Sequence, residues 1–336
     1  MNNEINKNIS EEQLSRCTSI IKTLSDYYDA RIVGQKNLKT ALLVALMTNG
    51  HILLESVPGL AKTTAAKVFT DAVDGKFAKI QCTPDLLPSD IVGTQIFNYK
   101  TNEFETKIGP VNANFVLLDE INRSSAKTQS AMLEVMQDRK LSIAGVTYDM
   151  PKPFVVFATQ NPIEQEGTYL LSEAQLDRFI IKEIIDYPTV GDEIEILNRM
   201  ESGIIEDCSP VLNTDSVIFL QEITKKVYVD DEIKRYLARI IYATRKPEEV
   251  ISPDLAIYIE LGSSPRGTIA LMNVAKAVAI MNGRTYVTPD DCKALIHSVM
   301  RHRINLNYAA YTDGVTPETI IDAIVKAVDT PWSMTD

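Results

Sequence analysis

The sequence predicts an α/β protein: a parallel sheet with helices on both faces, followed by a C-terminal all-α domain. Three observations carry that expectation. Short, continuously apolar runs recur at Ile52–Glu55, Phe77–Gln81, Phe115–Asp119 and 154–159. Runs of that kind suit strands buried on both faces, as in parallel sheets. Helical patterns lie between them, near 63–74 and over Ala126–Asp138, as parallel crossovers require. After Tyr187-Pro188-Thr189 the β signals fade and helix-period patterns dominate, as in 264–281 and 289–303.

The remaining elements follow in chain order. Ser10 with Gln13 forms a capping-box pattern that opens a helix reaching about Tyr28. A second helix over 35–49 carries Leu38, Leu42, Leu46 and Met47 on one face. Two hairpins interrupt the strand–helix alternation. One covers 94–107 around Lys100-Thr101-Asn102, and the other covers 140–150 with Ala144-Gly145 at its turn. A short helix over 172–177 precedes Arg178. Thr288-Pro289 supplies an N-cap and a proline at the first helical position. The expected organisation is an N-terminal helix (1–30), an α/β core with the two hairpins (31–188) and a helical domain (189–336), with the boundary near Pro188.

Composition sets outer limits. The 336 residues are 45% hydrophobic and 24% charged, which allows a sizeable core. The net charge of −11 gives no general electrostatic footprint for nucleic acid and no basic bias toward membrane surfaces. No apolar run approaches the roughly 20 residues of a membrane span. The polar stretch from Met1 to Ile9 has no signal core, so a cytoplasmic location is expected. Cys17, Cys82, Cys208 and Cys292 are scattered and form no C-x-x-C pair, which argues for reduced, buried thiols. The histidines at 51, 297 and 302 have no metal-ligand spacing, and packing or surface roles are expected for them. The ten methionines are scattered and suit core filling.

The chemistry concentrates after the first strand. Ser56-Val57-Pro58-Gly59-Leu60-Ala61-Lys62-Thr63 is a small-residue loop ending in Lys-Thr at a helix start. Backbone N–H groups there can cradle phosphates, with the lysine on the β and γ phosphates and the threonine on Mg²⁺. Ser56 and Ala61 stand where the phosphate-loop pattern has glycines, and an ordinary strand-to-helix turn of small residues would look similar. Phe115–Asp119 ends in Asp119-Glu120. An aspartate there can hold Mg²⁺ and a neighbouring glutamate can take a proton from water, although many buried strands end in acids. Asn161 follows the next strand, where open α/β sheets bind ligands; it also suits a turn before Pro162. Arg178 and Arg266 could stabilise phosphoryl charge or serve as solvated helix-end arginines.

In their order, these five pieces resemble the AAA+ ATPases, and more narrowly the MoxR family. The matching text includes Val33-Gly34-Gln35, Leu54-Glu55-Ser56-Val57-Pro58-Gly59-Leu60-Ala61-Lys62-Thr63 and Pro84-Asp85-Leu86-Leu87-Pro88-Ser89-Asp90. It continues with Asp119-Glu120-Ile121-Asn122-Arg123, Ala158-Thr159-Gln160-Asn161-Pro162 and Glu173-Ala174-Gln175-Leu176-Asp177-Arg178-Phe179. The resemblance runs from about Val33 into the C-terminal helices. It implies an AAA+ P-loop core with a helical lid, and ATP and Mg²⁺ as ligands. Lys62 and Thr63 match the Walker A lysine and threonine within a nucleotide cradle of Val57, Pro58, Gly59, Leu60, Ala61 and Thr64. Ala61 is a familiar variant in the family. Asp119 and Glu120 match Walker B, with Thr63 and Asp119 toward the metal and Glu120 as base. Asn161 matches sensor 1 and Arg266 sensor 2. Arg178 matches the arginine finger, which acts on nucleotide held by a neighbouring subunit. Val33 and Gly34 match the segment near the adenine, and the two hairpins match the helix-2 and pre-sensor-1 inserts.

The resemblance further implies Mg²⁺-dependent ATP hydrolysis by a homo-oligomer, a ring or spiral of six. The work it implies is chaperone-like remodelling or activation of a protein partner, with a von Willebrand factor A domain protein as the implied partner. A nucleotide-gated scaffold with negligible turnover and a chelatase-type metal-insertion subunit are the alternative readings. A DNA-remodelling motor fits poorly with the acidic balance.

Overall fold

The structure is a computed structural model and describes residues 9–57, 60, 62–162, 168–202 and 209–332. Five strands form its main sheet: β1 (Ile52–Glu55), β2 (Phe77–Gln81), β3 (Phe115–Asp119), β4 (Val155–Gln160) and β5 (Ile181–Ile184). Their order is β5-β1-β4-β3-β2, and the β1–β4, β4–β3 and β3–β2 pairings are parallel. Every residue of β3 is buried, as a strand covered on both faces must be. Leu53, Val116, Leu118, Val156 and Ala158 share one core cluster with Met132, Leu133 and Met136 of helix Ala126–Asp138. Helix Lys62–Asp71 packs on β3 and β4.

Two compact units divide the chain. The sheet unit takes in Lys22–Phe179 and Glu183–Phe219. The helical unit takes in Leu220–Asp336, Ile180–Lys182 and the N-terminal helix through Ile21. Within the helical unit, helix Asp231–Arg245 packs against Pro265–Met281 and Pro317–Ala327. One short antiparallel pair, Ile259–Leu261 with Asn305–Leu306, accompanies these helices. Asp291 is almost fully buried and receives both Arg284 guanidinium N–H groups, each at 2.6 Å. It also closes the capping box with Thr288.

Local chemistry explains most element boundaries. Ser10 and Gln13 exchange their capping-box bonds, and the helix begins at Glu11. Ser125 caps Ala126–Asp138 by accepting from the Thr128 N–H. The hairpins are Gly93–Asn98 with Glu103–Ile108, and Lys140–Ile143 with Val146–Asp149, the latter turning at Ala144 and Gly145 with positive φ. Three expectations need correction. The fifth strand, Ile181–Ile184, has no counterpart in the sequence expectation. The helix expected over 63–74 spans Lys62–Asp71, and Val73–Asp74 instead pairs with Leu212–Asn213. The single helix expected over 289–303 is two, Pro289–Lys293 and Ile296–Met300.

His51 has a structural role. Its Nδ1 accepts from the Val156 N–H at 3.0 Å, and its Nε2 lies 3.0 Å from the Met136 carbonyl. An N–H on one side and a carbonyl on the other select the neutral tautomer protonated at Nε2. Burial, reinforced by the Arg139 charge, pushes the imidazole down to about 3. A histidine folded neutral contributes its full stability above its unfolded value of about 6.5, and loses it as pH falls toward the folded value. We therefore predict that unfolding free energy falls by about 2 kcal/mol between pH 6.5 and pH 5, at roughly 1.4 kcal/mol per unit. Urea titrations at each pH check this, and the same increment should be missing in His51→Gln.

Candidate nucleotide site

Parallel register brings the chemical residues to one end of the sheet unit. Glu55 pairs with Gln160, and Asp119 pairs with Gln81. The carboxyl ends of β1 to β4 therefore lie side by side, where open α/β sheets collect ligands. The helix starting at Lys62 begins at that end, and its first N–H groups lack intrahelical partners.

Lys62 is buried, with 9% of its surface exposed. Its ammonium donates to the Ser56 carbonyl at 2.9 Å and the Gln160 carbonyl at 3.1 Å. The lysine is thus held across the mouth of β1 and β4 by neutral acceptors. Thr63 faces Asp119, with Oγ1 3.4 Å from each carboxylate oxygen. Asp119 also accepts from Thr159 Oγ1 at 2.8 Å and from Lys79 Nζ at 2.8 Å. Burial pushes the Asp119 carboxyl up. The hydrogen bonds from Lys79, Thr159 and Thr63, with the Lys79 charge, outweigh it and hold the group below its ordinary value. Asp119 is accordingly an anion throughout the neutral range.

Glu120 sits at φ 58°, ψ 54°, a left-handed conformation that costs a non-glycine residue about 1–2 kcal/mol. The turn separates the two acids. While Asp119 meets Thr63 and Thr159, Glu120 accepts from Gln81 Nε2 at 3.1 Å and pairs with Arg123 at 3.2 Å. The Glu120 N–H donates to Thr159 Oγ1 at 2.9 Å. Thr159 therefore links the two acids through one hydroxyl. Asn161 is buried one residue beyond β4, and its carbonyl accepts from Asn122 Nδ2 at 3.3 Å.

The other sequence candidates are placed as follows. Val57 and Leu60 are partly exposed and Thr64 is exposed, while Pro58, Gly59 and Ala61, like Cys208, lie outside the described residues. Arg178 donates through Nε to Gln137 and through a terminal N–H to the Ala174 carbonyl, and so does not join the Lys62–Thr63–Asp119 cluster. Arg266 belongs to the helical unit, where its N–H is capped by Ser264. Val33 leads into a cavity of about 420 Å³ lined by Gly34, Gln35, Lys36, Tyr187, Pro188 and Asp192, among others. Gly34 has φ +67°, and a Cβ there would lie 2.9 Å from the Asp192 carboxyl carbon, so a side chain at this position would be strained and would displace Asp192.

The donor set fits a hydrated magnesium ion. Among the described residues no cluster of three or more His, Cys, Asp or Glu side chains could hold a metal alone. Mg²⁺ is usually bound through one or two protein oxygens, with water and phosphate completing the shell. One hydroxyl facing one ionised carboxylate beside a helix N-terminus matches that demand.

Comparison with known proteins bears on the same residues. The model of the ATPase family associated with various cellular activities (AAA) matches residues 51–181, and that of the AAA lid domain matches 254–324. Chaperone MoxR1 of Mycobacterium tuberculosis is 46% identical over 89% of this chain and 79% of its own. The chain belongs to the MoxR family of AAA+ ATPases. YeaC of Bacillus subtilis, a protein without assigned function, is 44% identical over 89% of this chain and 91% of its own. A crystal structure of a candidate ATPase from Cytophaga hutchinsonii superposes with a TM-score of 0.87 at 41% identity, covering 95% of this chain and 97% of that one. The five-strand parallel sheet and the helical unit are thus the AAA and lid parts of a MoxR-family protein. No helix among the described residues is long and apolar enough to cross a membrane.

Four residues around the acids have no role assigned by the sequence motifs: Lys79 and Gln81, which lie outside the matching segments, and Arg123 and Thr159, which lie within them. A faint signal exists for two of them. Lys79 is the one cation in β2, and Thr159 is the hydroxyl that breaks an otherwise apolar run in β4. Thr159→Val keeps the shape but leaves the Glu120 N–H without its acceptor and removes one of the three donors to Asp119. We predict a loss of about 1–3 kcal/mol in urea unfolding.

Proposed function

We propose that this protein is an Mg²⁺-dependent ATPase whose hydrolysis cycle drives chaperone-like remodelling or activation of a protein partner. The observation that carries the reading is Thr63 facing the ionised Asp119 beside Lys62 at a helix start. Bound Mg²⁺ would supply neutralisation of phosphate charge, held by Thr63 and Asp119. Lys62 would exchange its carbonyl partners for the β and γ phosphate oxygens. The Glu120 carboxylate would accept a proton from the attacking water, which the Asn161 amide would orient. Val33 and Gly34 would border the adenine. Arg266 would stabilise charge on the phosphates.

Arg178 would act on nucleotide held by a neighbouring protomer. Its present partners, Gln137 and Ala174, lie outside the phosphate cluster of its own chain, which is consistent with service in trans. A finger in trans requires a closed ring or a spiral of subunits, and we take six as the number. The chaperone name of the Mycobacterium relative favours a protein client, and a partner with a von Willebrand factor A domain is our specific candidate. The acidic net charge favours a protein over a nucleic acid.

Phosphate-release and nucleotide-binding assays test the assignment together. Lys62→Ala should abolish nucleotide binding. Glu120→Gln should bind ATP normally and lose roughly 10²–10⁴ in turnover. Arg178→Ala should bind ATP and lose about 10³–10⁵ in rate, and mixing it with Glu120→Gln subunits should restore part of the activity. Normal turnover by Glu120→Gln would overturn the base assignment. Failure of the mixture to recover would overturn the finger in trans.

A further inference from the structure

We propose that Lys79 is a resident counter-cation for Asp119, displaced when a metal–nucleotide binds, so that it sets the metal affinity of the site. The inference rests on the metal site described above and adds a residue that no motif assigns. Lys79 lies in β2 opposite Leu117, two residues before the Gln81–Asp119 pair. Its side chain therefore emerges on the same face as Gln81 and runs toward the strand end. The ammonium reaches Asp119 Oδ2 at 2.8 Å. Among the described residues it is the one cation paired with that carboxylate, because the ammonium of Lys62 is taken up by two carbonyls.

The two members of the pair differ in freedom. The Asp119 side chain is 12% exposed and fixed by Thr63 and Thr159 as well. The Lys79 side chain is 44% exposed on a flexible four-carbon stem, and can swing its charge into water at little cost. Lys79 thus satisfies a nearly buried carboxylate in the absence of metal, when an unpaired anion would be costly. A divalent cation approaching Thr63 and Asp119 must displace or repel that ammonium. Mg²⁺ alone gains too little from one carboxylate and one hydroxyl, whereas Mg²⁺ carried by a triphosphate brings its own anionic oxygens. Lys79 therefore biases the site toward metal that arrives with nucleotide.

The test is Mn²⁺ binding followed by the electron paramagnetic resonance signal of free Mn²⁺, in the presence of a non-hydrolysable ATP analogue. Lys79→Met should bind Mn²⁺ about three- to tenfold more tightly than wild type. Without metal it should melt at a lower temperature than wild type, and added Mn²⁺ with nucleotide should narrow that gap. Lys79→Arg should behave as wild type in both respects. Lys79→Gln carries the same readout should the methionine variant fail to fold. Equal or weaker Mn²⁺ binding by the neutral variants, with normal binding by wild type, would overturn the role of Lys79 and leave the metal site standing. Saturable binding that survives Asp119→Asn, or no binding by wild type, would overturn the metal site itself and the lysine's role with it.

Discussion

A nearly buried carboxylate at the end of a hydrophobic strand is the constraint around which this site is organised. Burial alone would drive Asp119 toward its neutral form. Three donors from three elements prevent that: Thr63 from the helix after β1, Lys79 from β2 and Thr159 from β4. Of these, Thr159 costs the fold a polar residue inside an otherwise apolar buried strand. The result is a fixed negative charge at a place where helix N–H groups and a lysine collect positive potential. Such a juxtaposition stabilises structure only modestly, and its value lies in presenting a site for a cation and an anion side by side.

The sheet makes this arrangement possible through register. With β1, β4, β3 and β2 parallel and their ends in step, residues one or two beyond each strand converge without long loops. The left-handed backbone at Glu120 then turns two successive acids to different partners, one toward Thr63 and the other toward Gln81 and Arg123. Strain of that kind persists where surrounding bonds over-determine it. Here the Thr159 hydroxyl accepts from the strained residue's own N–H while donating to Asp119. His51 performs a comparable service at the other end of β4, joining the Val156 N–H to the Met136 carbonyl through a neutral ring.

Legibility of the fold from sequence followed the range of the interactions involved. Helix Ala126–Asp138 was readable to the residue because its signals are local: a serine cap and an apolar stripe. Both hairpins were readable from their turns. Ile181–Ile184 was not, because four residues with a lysine and a glutamate among them carry too short a pattern, and only pairing beside β1 makes them a strand. Val73–Asp74 continues a helical pattern until Leu212–Asn213, far along the chain, claims it. The break between Pro289–Lys293 and Ile296–Met300 has no proline or glycine to announce it. At the site, sequence motifs marked the residues that would face a ligand. They assigned no role to Thr159, Lys79 and Gln81, which act by touching those residues, because cross-strand and diagonal contacts have no fixed spacing in sequence.

The most direct measurement is anomalous diffraction from crystals of the protein grown with Mn²⁺ and a non-hydrolysable ATP analogue. The account predicts a single strong metal peak beside the Thr63 hydroxyl, coordinated to Asp119 directly or through one water, with the Lys79 ammonium withdrawn from that carboxylate. Nucleotide bound with its metal elsewhere, and Asp119 still joined to Lys79 and Thr159 alone, would contradict it.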